Sequence, residues 1–191
     1  MRVIAGKLRG RRLIAPRGRE IRPTGDRLKE TLFDILRPRI EGARFLDAFS
    51  GTGAIGIEAL SRGAASVVFI DSSESACRAL RQNLGHCAIV GGFRLMKADI
   101  FTALRRLARE GERFDILFLD PPYDWGPYGD LLGELVRCGL ADAESLVVIE
   151  HHRKAALPER GPGYGRARQA TQGDHCLSFY AALPPDPGPP E

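Results

Sequence analysis

From Gly42 onward the chain alternates short apolar runs with longer segments whose apolar residues recur at helical spacing. The runs at 44–49, 67–71, 93–97, 115–119 and 146–150 have strand length, and most are apolar on both alternating sets of positions. That is the pattern of strands covered on both faces. Between them, helical patterns span 54–62, 74–84, 100–109 and 128–138, and Gly63, Gly85 and Gly139 follow three of these as natural stops. Strand and helix in strict turn predict an α/β fold with a doubly wound, mostly parallel sheet.

Two flanking regions break the alternation. Residues 3–15 set short apolar pairs among basic residues around Gly6 and Gly10, which predicts a small hairpin with Arg and Lys on an exposed face. Leu28, Leu32, Phe33, Ile35 and Leu36 then share one helical face, and Pro38 ends the run. Near the other end, 163–168 and 176–182 read as two strands joined by a polar turn at Gly173 and Asp174. The connection is too short for a helical crossover, so the pair is expected to be antiparallel. The stretch PPDPGPPE is expected to be disordered.

Composition narrows the class. A chain of 191 residues suits one α/β domain with a modest appendage. Residues 1–30 carry ten Lys and Arg against three Asp and Glu, a net +7, whereas the remaining 161 residues carry a net −3. Clustered positive charge gains affinity for polyphosphate by counterion release, so nucleic acid is the leading partner. The opening MRVIAGKLRGRRLIAP lacks the amphipathic pattern of a transit peptide. With no long apolar window and no signal peptide, a cytoplasmic protein without membrane contact is expected. Cys77, Cys87, Cys138 and Cys176 are far apart and form no C-x-x-C pair. They read as reduced, mostly buried thiols, and no metal site is expected.

The chemistry concentrates where the strands end, because an open parallel sheet binds ligands beyond its carboxyl edge. In DAFSGTGAIG, Gly51, Gly53 and Gly56 spell G-x-G-x-x-G after a strand containing Asp47. That loop suits either a dinucleotide or S-adenosylmethionine. Asp71, 18 residues after Gly53, stands where a carboxylate reaches a ribose diol, and Asp99 where one meets an adenine amino group. Each has a competing reading as a helix N-cap, before Ser72 and Ile100 respectively, with ligand binding favoured at Asp71. The fourth strand runs into Asp120, Pro121, Pro122 and Tyr123. A hydride-transfer enzyme has no use for this tetrapeptide, whereas methyl transfer to an exocyclic amine does. Asp120 and the Pro121 carbonyl can accept the two amino N–H bonds, the prolines hold the backbone, and Tyr123 can stack on a flipped base. Glu150 stands at the fifth strand end as a possible pocket residue, His151 and His152 read as the solvated start of a loop, and Trp125 either extends the stacking surface or packs beneath the loop.

DAFSGTGAIG, Asp71, Asp99 and DPPY together resemble a class I S-adenosylmethionine-dependent methyltransferase that modifies amino groups. RVIAGKLRGRRL followed by RPTGDRLKETLFDIL, with SRGAAS and QGDHCLSFY, narrows the resemblance to bacterial 16S ribosomal RNA guanine-N2 methyltransferases of the RsmD type. It covers nearly the whole chain to about residue 182, with Gly25 standing where many members have a second Thr. It implies a seven-stranded Rossmann-like sheet whose last hairpin carries the only antiparallel strand. It also implies a cofactor site of Asp47, Phe49, Gly51, Gly53, Asp71, Ser72, Asp99 and Ile100, partly covered by Thr24, and catalysis at DPPY. RNA phosphates are expected on Arg2, Lys7, Arg9, Arg11 and Arg12. The division expected is a basic arm and helix over 1–40, a methyltransferase domain over 41–182 and a tail over 183–191. The expected substrate is 16S ribosomal RNA or an assembling small subunit, and the expected state a monomer. Adenine-N6 methylation, protein amide methylation and a non-catalytic RNA-binding or assembly role are the competing readings.

Overall fold

The computed structural model describes residues 1–14, 25–122, 125–161 and 163–183. Thr24, Tyr123 and the tail beyond residue 183 therefore lie outside the described residues. After the arm comes helix α1 (Asp26–Leu36), and then strand and helix alternate as the pattern requires. The order is β1 (Arg44–Ala48), α2 (Ala54–Ser61), β2 (Ser66–Asp71), α3 (Glu74–His86), β3 (Phe93–Lys97), α4 (Ile100–Arg109), β4 (Ile116–Leu119), α5 (Tyr128–Arg137) and β5 (Leu146–His152). The chain closes with β6 (Arg160–Gly161), β7 (Tyr164–Gln172) and β8 (His175–Ala182).

These strands form one sheet in the order β3-β2-β1-β4-β5-β8-β7-β6. β3, β2, β1, β4 and β5 run parallel, while β8 pairs antiparallel with β5, β7 with β8 and β6 with β7. The sheet thus has eight strands rather than seven, and its antiparallel pairing extends over the last three. The added strand is the two-residue β6, too short to leave a periodic signal. β7 is longer than its sequence pattern implied because only its first residue is buried, so its middle carries no apolar alternation.

Successive residues of each central strand feed opposite layers. Phe45, Val67, Phe69, Ile116, Phe118 and Val148 pack with α1, α2 and α3, while Leu46, Val68, Ile70, Leu117, Leu119 and Val147 pack with α4 and α5. The order of connection reverses between β1 and β4, which opens a crevice at their carboxyl ends.

The arm is docked rather than loose. Arg2 and Arg12 form a single antiparallel bridge, with Val3 N–H donating to the Arg11 carbonyl and Gly10 N–H to the Val3 carbonyl at 2.9 Å each. The expected hairpin is therefore present as one bridge and a turn. Val3 and Leu13 are buried in the core shared with α1 and β1. The buried Glu58 carboxylate accepts from Ile4 N–H at 2.7 Å and Ala5 N–H at 2.9 Å, and lies 3.3 Å from the buried Lys29 ammonium. All four cysteines are free thiols, three of them buried. Among the described residues, no helix is long and apolar enough to cross a membrane.

Candidate active site

β1 ends in a strained turn. Phe49 holds φ at 59°, a conformation that costs a residue with a side chain about 1–3 kcal/mol, and its ring lines the cavity above the sheet. The chain then enters α2 through Gly53, at φ 77° and so close to Leu80 that a Cβ would lie 2.1 Å from its Cδ1. Gly56 packs equally tightly, since a Cβ there would meet the Phe69 ring at 2.2 Å. Gly53 and Gly56 thus let α2 begin hard against α3 and β2.

Two carboxylates hold this loop in place. Asp71, at the end of β2, accepts from Gly51 N–H through Oδ2 and from Ser73 N–H through Oδ1, both at 2.8 Å. Asp47 is buried beneath the loop and accepts from Gly56 N–H at 2.9 Å. Burial pushes the Asp47 carboxyl well above the usual carboxylate range; the Gly56 bond opposes the shift, and the charges of Asp120 and Asp71 reinforce it. Asp99 caps α4, with Oδ1 accepting from Phe101 and Thr102 N–H at 3.0 and 3.3 Å. Ser73, not Asp71, is the side-chain cap of α3.

Above the loop lies a cavity of about 220 Å³ lined by Phe49, Ile70, Asp71, Ser72, Ala98, Asp99, Ile100, Phe101, Pro122 and Trp125. Phe49 and Trp125 meet edge to face at 5.6 Å, and Phe101 stacks on Trp125 at 6.5 Å. Apolar walls with two carboxylates among them suit a flat heteroaromatic ring carrying an amino group and a hydroxylated sugar. Each Asp spends only part of its acceptor capacity on backbone N–H groups: Asp99 uses one oxygen, and Asp71 uses one lone pair on each. An adenosine moiety, whose hydroxyls and amino group donate, fits these acceptors and walls, so Asp71 can serve both the loop and a diol. The structure brings Phe49, Asp71, Ser72, Asp99 and Ile100 to this one cavity, while Asp47 and Gly53 shape the loop beneath it.

Asp120 and Pro121 follow β4 directly, next to this cavity. Asp120 N–H donates to the Ala48 carbonyl at 3.2 Å, and Trp125 N–H to the Pro122 carbonyl at 2.9 Å. Burial drives the Asp120 carboxyl well above its ordinary range, and the neighbouring Glu150 charge pushes the same way. Sequence reasoning passed over Phe101, Tyr128 and His175. Phe101 could have been found as the second residue of the helix that Asp99 caps. His151, expected in a solvated loop, is instead buried within β5, where its Nε2 lies 2.9 Å from Ser178 Oγ. β8 covers it, and pairing between distant strands leaves no local signal.

The comparisons with known proteins agree with this geometry. Residues 1–181 match the model of the family described as "Conserved hypothetical protein 95". Ribosomal RNA small subunit methyltransferase D of Escherichia coli K12 is 34% identical over 180 residues, covering 94% of this chain and 89% of that protein. The chain belongs to this family. Its Haemophilus influenzae member is 32% identical over 159 residues, covering 82% of this chain and 81% of the relative. Among solved structures, yhhF of Escherichia coli superposes with a TM-score of 0.83 at 34% identity, covering 95% of this chain and 97% of its own. A hypothetical protein of Thermus thermophilus gives 0.80 at 34% identity, covering 94% and 98%. The family's fold, the Rossmann-like methyltransferase fold, is the one described above.

Proposed function

We propose that the protein transfers the methyl group of S-adenosylmethionine to the exocyclic N2 of a guanine in small-subunit ribosomal RNA. The observation that carries the reading is the placement of Asp120-Pro121-Pro122 at the end of β4, across the topological reversal from the Gly51-to-Gly56 loop and against the cavity walled by Asp71 and Asp99. Bound there, S-adenosylmethionine supplies a methyl group on a cationic sulfur. Asp71 would take the ribose hydroxyls, Asp99 the adenine amino group, and Phe49, Ile100 and Ser72 the faces of the nucleoside.

The protein's own part is orientation. A guanine amino group is a poor nucleophile because its lone pair is delocalised into the ring. Asp120 and the Pro121 carbonyl accept its two N–H bonds and turn the nitrogen toward the methyl group. Tyr123 offers the stacking face, and Thr24 a cover for the cofactor. Arg2, Lys7, Arg9, Arg11 and Arg12 are all exposed on the docked arm and take RNA phosphates. Guanine and small-subunit RNA as the target rest on the family resemblance and on the names of its relatives.

The test is transfer of labelled methyl from S-adenosylmethionine to bacterial small-subunit RNA, free and as particle, with the product nucleosides identified by mass. N2-methylguanosine is expected. N6-methyladenosine would replace the target, and absence of label on every form would overturn the reaction. Asp120→Ala is expected to lower turnover at least about a hundredfold with cofactor affinity nearly unchanged.

A further inference from the structure

Beside Asp120 lies a second, smaller cavity that the orientation of the amine does not use. Its volume is about 20 Å³, room for one water, and Asp120, Pro121, Tyr128, Glu150, His151, His152 and His175 line it. Glu150 is only 4% exposed. The parallel register pairs Leu119 of β4 with Ile149 of β5, so the next residues, Asp120 and Glu150, are neighbours across the sheet. On the other side of Glu150, its Oε1 lies 3.1 Å from Nδ1 of His175, whose side chain is 22% exposed. A file of groups able to carry protons therefore leads from the reaction loop, through the sheet end, to solvent.

Methylation of an amine needs such a path. As the target nitrogen bonds to the methyl carbon, the carbon–sulfur bond breaks and its electron pair stays on sulfur. The nitrogen is left with one proton too many, and a neutral product forms only when that proton goes to a base. We propose that Glu150 and His175 are positioning residues that form the outlet for this proton: Asp120 takes it from the nitrogen, and Glu150 passes it to His175 and so to water. The inference rests on the reaction proposed above, and concerns residues that do not themselves touch the base.

The surroundings fit a relay. Among the described residues, the ionisable groups facing the carboxylate pair are Asp47 from β1, Tyr128 from α5, His151 and His152 from β5, and His175 from β8. His151 is engaged with Ser178 and the His152 carbonyl, and burial lowers its basicity. His152 Nδ1 accepts from Lys154 N–H. Burial and the Asp120 charge push the Tyr128 hydroxyl up, so it stays protonated. His175 reaches Glu150 and meets solvent. Two carboxylates side by side favour holding one proton between them, which suits a site that must receive a proton and release it each turnover.

Multiple-turnover methyl transfer across about pH 5 to 9, with cofactor and RNA affinity measured separately, tests the relay. In Glu150→Gln the maximal rate is expected to fall about tenfold with both affinities within about twofold. The acid limb of its profile is expected to move to lower pH, because the charge that raises Asp120 is gone. Glu150→Asp should keep the limb and recover part of the rate, which also guards against a folding defect in the amide variant. In His175→Ala the rate should fall and added imidazole should restore it in proportion to its unprotonated form. An unmoved acid limb, no rescue by imidazole, or a loss of cofactor affinity matching the loss of rate would overturn the relay. Wild-type protein without turnover on any RNA would instead overturn the reaction beneath it, while turnover on a different base would leave the relay standing.

Discussion

At the scale of single residues, the carboxyl of Asp120 sets stability against function. Burial, then the Glu150 charge, raises its folded-state pKa, so the folded protein holds this proton more tightly than the unfolded chain. A group of that kind contributes stability that is full below the unfolded pKa and is lost as pH rises through the folded value. At neutral pH the fold therefore carries a penalty for a charge that binding of the amine requires. Asp120→Asn keeps the shape and removes the charge. It is expected to raise stability by about 1 kcal/mol near pH 8 and by little near pH 4, while turnover is lost. Urea denaturation at both values checks this, and an equal or negative change at the higher pH would contradict the charge argument. Phe49 shows the same trade in the backbone, where strain at φ 59° accompanies a ring placed in the cofactor cavity.

At the scale of elements, Asn83 of α3 joins three pieces of the site. Its Nδ2 donates to the Thr52 carbonyl at 2.9 Å and the Ile14 carbonyl at 3.1 Å, and its Oδ1 accepts from Ile14 N–H at 2.7 Å. Thr52 lies within the glycine loop, and Ile14 closes the described part of the arm. Asn83→Leu keeps the volume but leaves the buried Thr52 carbonyl and the part-buried Ile14 backbone groups without these partners. A loss of about 1–3 kcal/mol is expected, together with weaker cofactor binding, since the loop would lose the bond that holds it toward α3. Denaturant melts and calorimetric titration with S-adenosylhomocysteine measure both. A loss below about 0.5 kcal/mol would mean that solvent replaces the amide.

At the scale of the molecule, Arg2, Lys7, Arg9, Arg11 and Arg12 stand exposed on a stretch of backbone that is hydrogen-bonded to α2. Glu58 and Ser61 of α2 bind the arm's backbone: Lys7 N–H donates to the Ser61 carbonyl at 2.8 Å and Leu8 N–H to its Oγ at 2.9 Å. Arg9, Arg11 and Arg12 are therefore presented as a fixed patch, with little ordering cost on binding. Replacing all three by Gln is expected to weaken RNA binding and flatten its dependence on salt. The logarithmic slope should fall by about one for each phosphate no longer neutralised. Fluorescence titrations at several salt concentrations give the slope, and an unchanged one would place the RNA elsewhere.

The sequence by itself determined the alternation of elements, because strands buried on both faces leave apolar runs and helices leave a 3.6-residue period, both local signals. It also determined the candidate loops, since G-x-G-x-x-G and DPPY bring their chemistry together within a few residues. Only the tertiary structure decided which of these groups meet. Asp71 reaches back 20 residues to Gly51 and Asp47 forward 9 to Gly56. His175 meets Glu150 across 25 residues, through a hairpin whose register no local pattern specifies. The same long-range pairing buried His151 and added β6, and it turned Lys29, counted in the sequence among the charges of a basic arm, into the buried partner of Glu58. A charge reads as solvated until a partner far along the chain is folded against it, because the desolvation it suffers and the bond that offsets it both come from elements the local sequence does not contain.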